Sequence, residues 1–142
     1  MRENVVIRTV VRMAVPFIQL FALYVILHGG SSAGGGFQGG VIFASAFILL
    51  GIAFGIDEAR QRIQEKAVVI ASSLGVYIFA GIGLLCILFG GNFLGYAAIP
   101  LPFDPPEVRG LMTEAVEVGI GITVMAVMTS IFYDIASKRE EE

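Results

Sequence analysis

Tryptophan is absent, and cysteine and histidine occur once each, as Cys86 and His28. A single cysteine excludes an intrachain disulfide and any Cys-x-x-Cys metal or cluster site. Set in an apolar run, Cys86 reads as a small buried residue. A single histidine excludes a haem held by two histidines of this chain and argues against a multi-histidine zinc site. Charge is scarce as well. Only 15% of the 142 residues are charged, against about a quarter in a soluble domain. No basic face suited to nucleic acid is present, and the net charge of −3 owes much to the Glu140-Glu141-Glu142 tail. No linker or second domain interrupts residues 1–142.

Apolar residues take the place of charge. They make up 56% of the chain, and the mean hydropathy is +0.85. Charged residues gather at 1–12, 57–66, 104–117 and 134–142. The uncharged runs between them predict an all-α integral membrane protein with four transmembrane helices, at about residues 11–28, 38–56, 67–90 and 114–136. Each is near the ~20 residues needed to cross ~30 Å of hydrocarbon. Pro16 is expected in the first turns of the first span, where a missing N–H costs little. Arg2, Arg8 and Arg12 followed by Ser31-Ser32-Ala33 resemble a signal peptide, but the first span is expected to be retained, since the chain begins at Met1.

With four spans, both termini lie on the same side as the loop between spans two and three. That side holds Arg2, Arg8, Arg12, Arg60, Arg62, Lys66, Lys138 and Arg139, eight of the nine Lys and Arg. The other side holds Arg109. The positive-inside rule therefore predicts cytoplasmic N- and C-termini. The glycine-rich turn at 34–40 and the proline-rich loop at 91–113 then face outward. Pro100, Pro102, Pro105 and Pro106 predict an extended, turn-rich loop.

The turn reads Gly34-Gly35-Gly36-Phe37-Gln38-Gly39-Gly40. Gly34, Gly36 and Gly39 satisfy G-x-G-x-x-G, but a dinucleotide loop needs a strand before it and a βαβ unit around it. The flanking runs are too long and lack period-2 alternation. The glycines are expected instead to supply unusual backbone angles at 34–36 and close helix packing. Gly36, Gly40 and Ala44 recur at spacing four, as do Gly51 and Gly55, which suits helix contacts in a membrane. Small residues spread over several faces predict lateral packing in a larger complex.

Glu114 and Glu117 are the leading candidates for chemistry. They are three residues apart at the predicted start of the last span, and so on one helix face. Val118 to Tyr133 is 16 residues, ~24 Å of helix, which falls short of ~30 Å. Glu117 is therefore expected at or just inside the outer boundary, where a carboxylate faces a polar cavity or a partner and can exchange protons or hold a cation. The competing reading is an acid at a helix N-terminus, capped by Thr113. His28, closing the first span, is a candidate proton relay. Asp134 reads as an interfacial charge.

The stretch from Phe21 to Leu49, and Glu117-Val118-Gly119-Ile120 at the last span, resemble the MnhB/MrpB family, subunits of Mrp-type sodium/proton antiporters. Similar subunits occur in the antiporter-like module of membrane-bound hydrogenases. Leu23-Tyr24, Gly34-Gly35-Gly36-Phe37 and Gly39-Gly40 match that pattern; Ala33 replaces its usual proline and Gly30 a common histidine. Gln38 and His28-Gly29 are closer to the hydrogenase-type members. The resemblance implies a non-redox subunit helping to form a sodium or proton path. It would carry no cofactor, with Na+ or H+ as the transported ion, and its partners would be other membrane subunits and lipid, most simply in a hydrogenase-type respiratory complex. The alternatives are a stand-alone Mrp antiporter, a purely structural assembly subunit, or a small transporter working as a homo-oligomer.

Overall fold

Apolar runs that cannot bond to lipid satisfy their backbone internally, as helices. The computed structural model describes residues 5–30 and 34–138. Ser31-Ser32-Ala33, and with them the position of the missing family proline, lie outside the described residues, as do Arg2, Arg139 and the acidic tail. The elements are α1 (Val5–Leu27), α2 (Gly36–Phe54), α3 (Ile56–Arg62), α4 (Glu65–Leu88), a 3-10 turn (Tyr96–Ala98) and α5 (Pro105–Lys138). No strand occurs among the described residues. α1, α2, α4 and α5 are each long and apolar enough to cross a membrane.

Several boundaries differ from the sequence expectation. α1 is already helical at Val5, the first described residue, well ahead of the expected start near residue 11, and its arginines have partners there. Arg8 pairs with Glu58 at 3.3 Å, and Arg8 and Arg12 both lie over the Phe54 ring, at 4.7 and 5.5 Å. Pro16 consequently falls in mid-helix rather than in a first turn, and its missing N–H leaves the Arg12 carbonyl without its usual partner. Gly55 does not extend the packing face of α2. It ends the helix at φ 101° and turns the chain into α3, a backbone angle that disfavours any side chain.

The largest difference is at α5. It opens at Pro105, not near Glu114. The Asp104 carbonyl accepts from the Glu107 and Val108 amides, and proline suits the first helical position. The 34-residue helix is about 51 Å long, so its first turns project beyond a membrane core of about 30 Å. The segment between α4 and α5 folds back on α4. Phe93 packs against Gly83, where any Cβ would strike its ring, and meets Phe79 edge-on at 5.9 Å.

The four long helices form an open row in the order α1, α2, α5, α4, with α1 also touching α5. Glycines set the spacing. A Cβ on Gly39 would lie 2.9 Å from the Ala22 carbonyl of α1, and one on Gly40 would lie 2.7 Å from the Gly121 carbonyl of α5. A Cβ on Gly75 of α4 would overlap the Gly119 carbonyl of α5. Val11, Val15, Ala46, Leu50, Ala53 and Phe54 make the core between α1 and α2. A smaller cluster of Ile56, Ala59 and Tyr133 ties α3 to α5. An open row leaves large apolar side chains exposed: Phe17 on α1 is 71% exposed and Leu88 on α4 is 79% exposed. These surfaces suit lipid or neighbouring subunits.

Beside that smaller cluster, Arg60 donates to Ser137 Oγ at 2.5 Å and pairs with Glu65 at 3.0 Å. Tyr133 is buried, and its hydroxyl has no hydrogen-bond partner among the described residues. A buried unsatisfied hydroxyl is a liability, so Tyr133→Phe is expected to stabilise the chain by about 1 kcal/mol. Thermal unfolding in detergent checks this, and a lower midpoint would mean that the hydroxyl makes a bond after all.

Candidate functional site

Glu117 lies about 18 Å along α5 from its start, which removes the N-terminal reading. The macrodipole acts within the first turn, and Thr113 is inside the helix, not its cap. The end of α1, the glycine turn and the start of α2 close around Glu117. A Cβ on Gly29 would collide with the Glu117 carboxylate, and one on Gly36 would collide with its backbone carbonyl. A Cβ on Gly35 would lie 3.3 Å from Oε1, with the Gln38 side-chain oxygen 3.8 Å from the same point. Oε2 is buried and has no hydrogen-bond partner among the described residues.

The cradle is a matter of space rather than backbone angle, contrary to the sequence expectation. Gly35 is extended, at φ −172°, which any residue can adopt. Among the described glycines, positive φ occurs at Gly55 and Gly90. What Gly29, Gly35 and Gly36 provide is the absence of a Cβ where the glutamate enters. Gly34 sits beside them, its Cβ position 3.0 Å from Val25 of α1.

The other candidates fall elsewhere. Glu114, one turn earlier on α5, is exposed, whereas Glu117 is partly covered. His28 is exposed and stacks on Tyr24 with ring centroids 4.2 Å apart, its Nδ1 3.2 Å from the Tyr24 carbonyl. Gly39 faces α1, while Gly40 and Gly51 face α5, the latter against Phe132. Asp134 is exposed near the far end of α5. Tyr96, in the 3-10 turn, has its phenol held above the ordinary 10.0, first by burial and then by the negative charge of Glu117. It therefore stays neutral across the physiological range. Among the described residues, no three His, Cys, Asp or Glu side chains group as a metal site.

Sequence reasoning singled out both the glycine turn and Glu117 but did not join them. The two are about 80 positions apart, and no local pattern links them. The early start of α5 did have a signal, since Asp104-Pro105-Pro106 has the form of a helix opening.

Residues 6–130 match the family described as "Domain related to MnhB subunit of Na+/H+ antiporter". The chain is 36% identical over 138 residues to "Putative antiporter subunit mnhB2" of Staphylococcus haemolyticus, covering 92% of this chain and 94% of that protein. It is 33% identical over 143 residues to the protein of the same name in Staphylococcus epidermidis and 30% identical over 142 residues to that of Staphylococcus aureus. Each of these last two alignments covers 98% of this chain and 99% of the relative.

Proposed function

This chain belongs to the MnhB family of Na+/H+ antiporter subunits, and from that premise we propose that Glu117 lines part of the route by which the antiporter moves sodium or protons. The chain is a membrane subunit of a multisubunit antiporter. Its relatives carry an antiporter name, so the Mrp antiporter itself replaces the hydrogenase-type complex suggested by Gln38 and His28-Gly29. In this reading the chain holds no cofactor, and Na+ or H+ is cargo.

One observation carries the proposal: a carboxylate set against Gly29 and Gly35, one oxygen of which is buried with no hydrogen-bond partner among the described residues. A buried carboxylate left unpaired is costly. A bound proton or an arriving cation removes that cost, and such intramembrane acids mark ion pathways. The positive-inside distribution supports cytoplasmic termini, which puts Glu117 toward the outer face, where α1 ends and α2 begins. Exposed Glu114 would raise the local cation concentration at the mouth.

A purely structural role is the competing reading, favoured by the close approach of Gly36 and Gly40 to α5. Glu117→Gln in the assembled antiporter separates the two. Wild-type exchange in a complex of normal composition would overturn the pathway role.

A further inference from the structure

Ser73 and Tyr77 are exposed on α4 in the part of the helix farthest from both ends. Tyr77 is 77% exposed and sits about 18 Å from the start of α4 and about 17 Å from its end. In a helix that crosses hydrocarbon this is the middle of the membrane, whereas tyrosine facing lipid belongs at the interfaces. The Tyr77 hydroxyl makes no hydrogen bond among the described residues.

The phenol stands beside a groove. α4 and α5 approach closely at Gly75 and Gly119, where a Cβ on Gly119 would lie 3.0 Å from the Gly75 carbonyl. On one face of this pair a cleft of about 360 Å³ is lined by Ser72, Ser73, Val76, Tyr77, Thr123 and Val127. It continues into a second, of about 310 Å³, that shares Val76 and Thr123 and is otherwise apolar. The small hydroxyls already have acceptors within the pair: Ser72 and Ser73 donate to the Val69 carbonyl at 2.9 Å, and Thr123 donates to the Gly119 carbonyl at 2.9 Å with the Ser72 carbonyl of α4 at 3.5 Å.

We propose that this α4–α5 groove is the docking site for one transmembrane helix of another subunit, carrying a polar side chain level with Tyr77. A groove between two close helices accepts the side-chain ridge of a third. Lipid offers no hydrogen-bonding group at that depth, whereas a partner helix supplies one. Polar contacts of this kind join helices within membranes. α4 has a single long-helix neighbour, α5, so this edge of the row is open to an added helix. The inference rests on membership of a multisubunit antiporter and is independent of Glu117.

The test is made in the full complex. A photoreactive benzoylphenylalanine replacing Tyr77 is expected to cross-link to a transmembrane segment of a different subunit, identified by mass spectrometry. Adducts with lipid alone, or with a second copy of this chain, would overturn the proposal. Tyr77→Phe, which keeps the packing, is expected to reduce the amount of this chain retained in the purified complex about threefold to tenfold under mild detergent challenge, the scale of one interhelical hydrogen bond. Retention equal to the wild type would show that the hydroxyl has no partner and would also count against it.

Discussion

Glu117→Gln is expected to slow sodium-driven proton exchange by about tenfold or more, equivalent to roughly 1.4 kcal/mol or more of barrier, while leaving the complex assembled. The amide has nearly the shape of the carboxyl group and still fits against Gly29 and Gly35. It can neither release a proton nor bring a negative charge to a cation. Packing is thus conserved and ion chemistry removed. Glu117→Asp keeps the charge but withdraws it from the cradle by one methylene, so an intermediate rate is expected. Quenching of a pH-sensitive dye in inverted vesicles gives the rates, and native gels of the same membranes report assembly. If transport and composition both match the wild type, Glu117 is a packing residue.

Gly36→Leu is expected to have the opposite signature, with loss of the chain from the complex as well as loss of transport. At this position α2 meets the backbone of α5, and a Cβ would overlap the Glu117 carbonyl. A side-chain contact could swing away, but a backbone contact requires the helices to move apart. Overpacking of this kind costs about 3 kcal/mol or more when the neighbour cannot yield. Gly110→Leu, in the exposed first turns of α5, is the control, because a Cβ there meets nothing within 4 Å, and it is expected to assemble normally. Equal amounts of the Gly36→Leu and wild-type chains in the purified complex would contradict the observed crossing.

Much of the architecture was readable because hydrocarbon imposes a simple rule. Runs such as 38–56 and 67–90 lack charge over membrane-crossing lengths, and each became a helix shifted by a few residues. The limits moved where something beyond hydropathy acted. α1 grew toward its N-terminus because Arg8 and Arg12 find Glu58 and the Phe54 ring, partners more than 40 positions away. α2 stopped at Phe54 because Gly55 takes φ 101°. α5 started early because Asp104-Pro105-Pro106 opens a helix, a local signal outweighed by the expectation of an extended proline loop.

The candidate site was legible only in pieces. Glu117 stood out as an acid beside an apolar run, and Gly34–Gly40 as a glycine cluster. Glu114 and His28 stood out by the same logic, yet both are exposed, while Glu117 alone enters the cradle. Residue type and spacing place an acid on a helix; they do not say which of two acids a neighbouring helix will cover.

The sequence by itself determined the four apolar helices, the family and the separation of charge between the two ends, since each depends on local composition or on a contiguous motif. Tertiary structure alone decided that α2 and α5 lie side by side, so that the glycine turn encloses a glutamate about 80 residues away. That pairing is set by which helix backbones can approach most closely. Close approach depends on the mutual fit of Gly36 and Gly40 with Glu117 and Gly121, a property of two surfaces together and of neither segment alone.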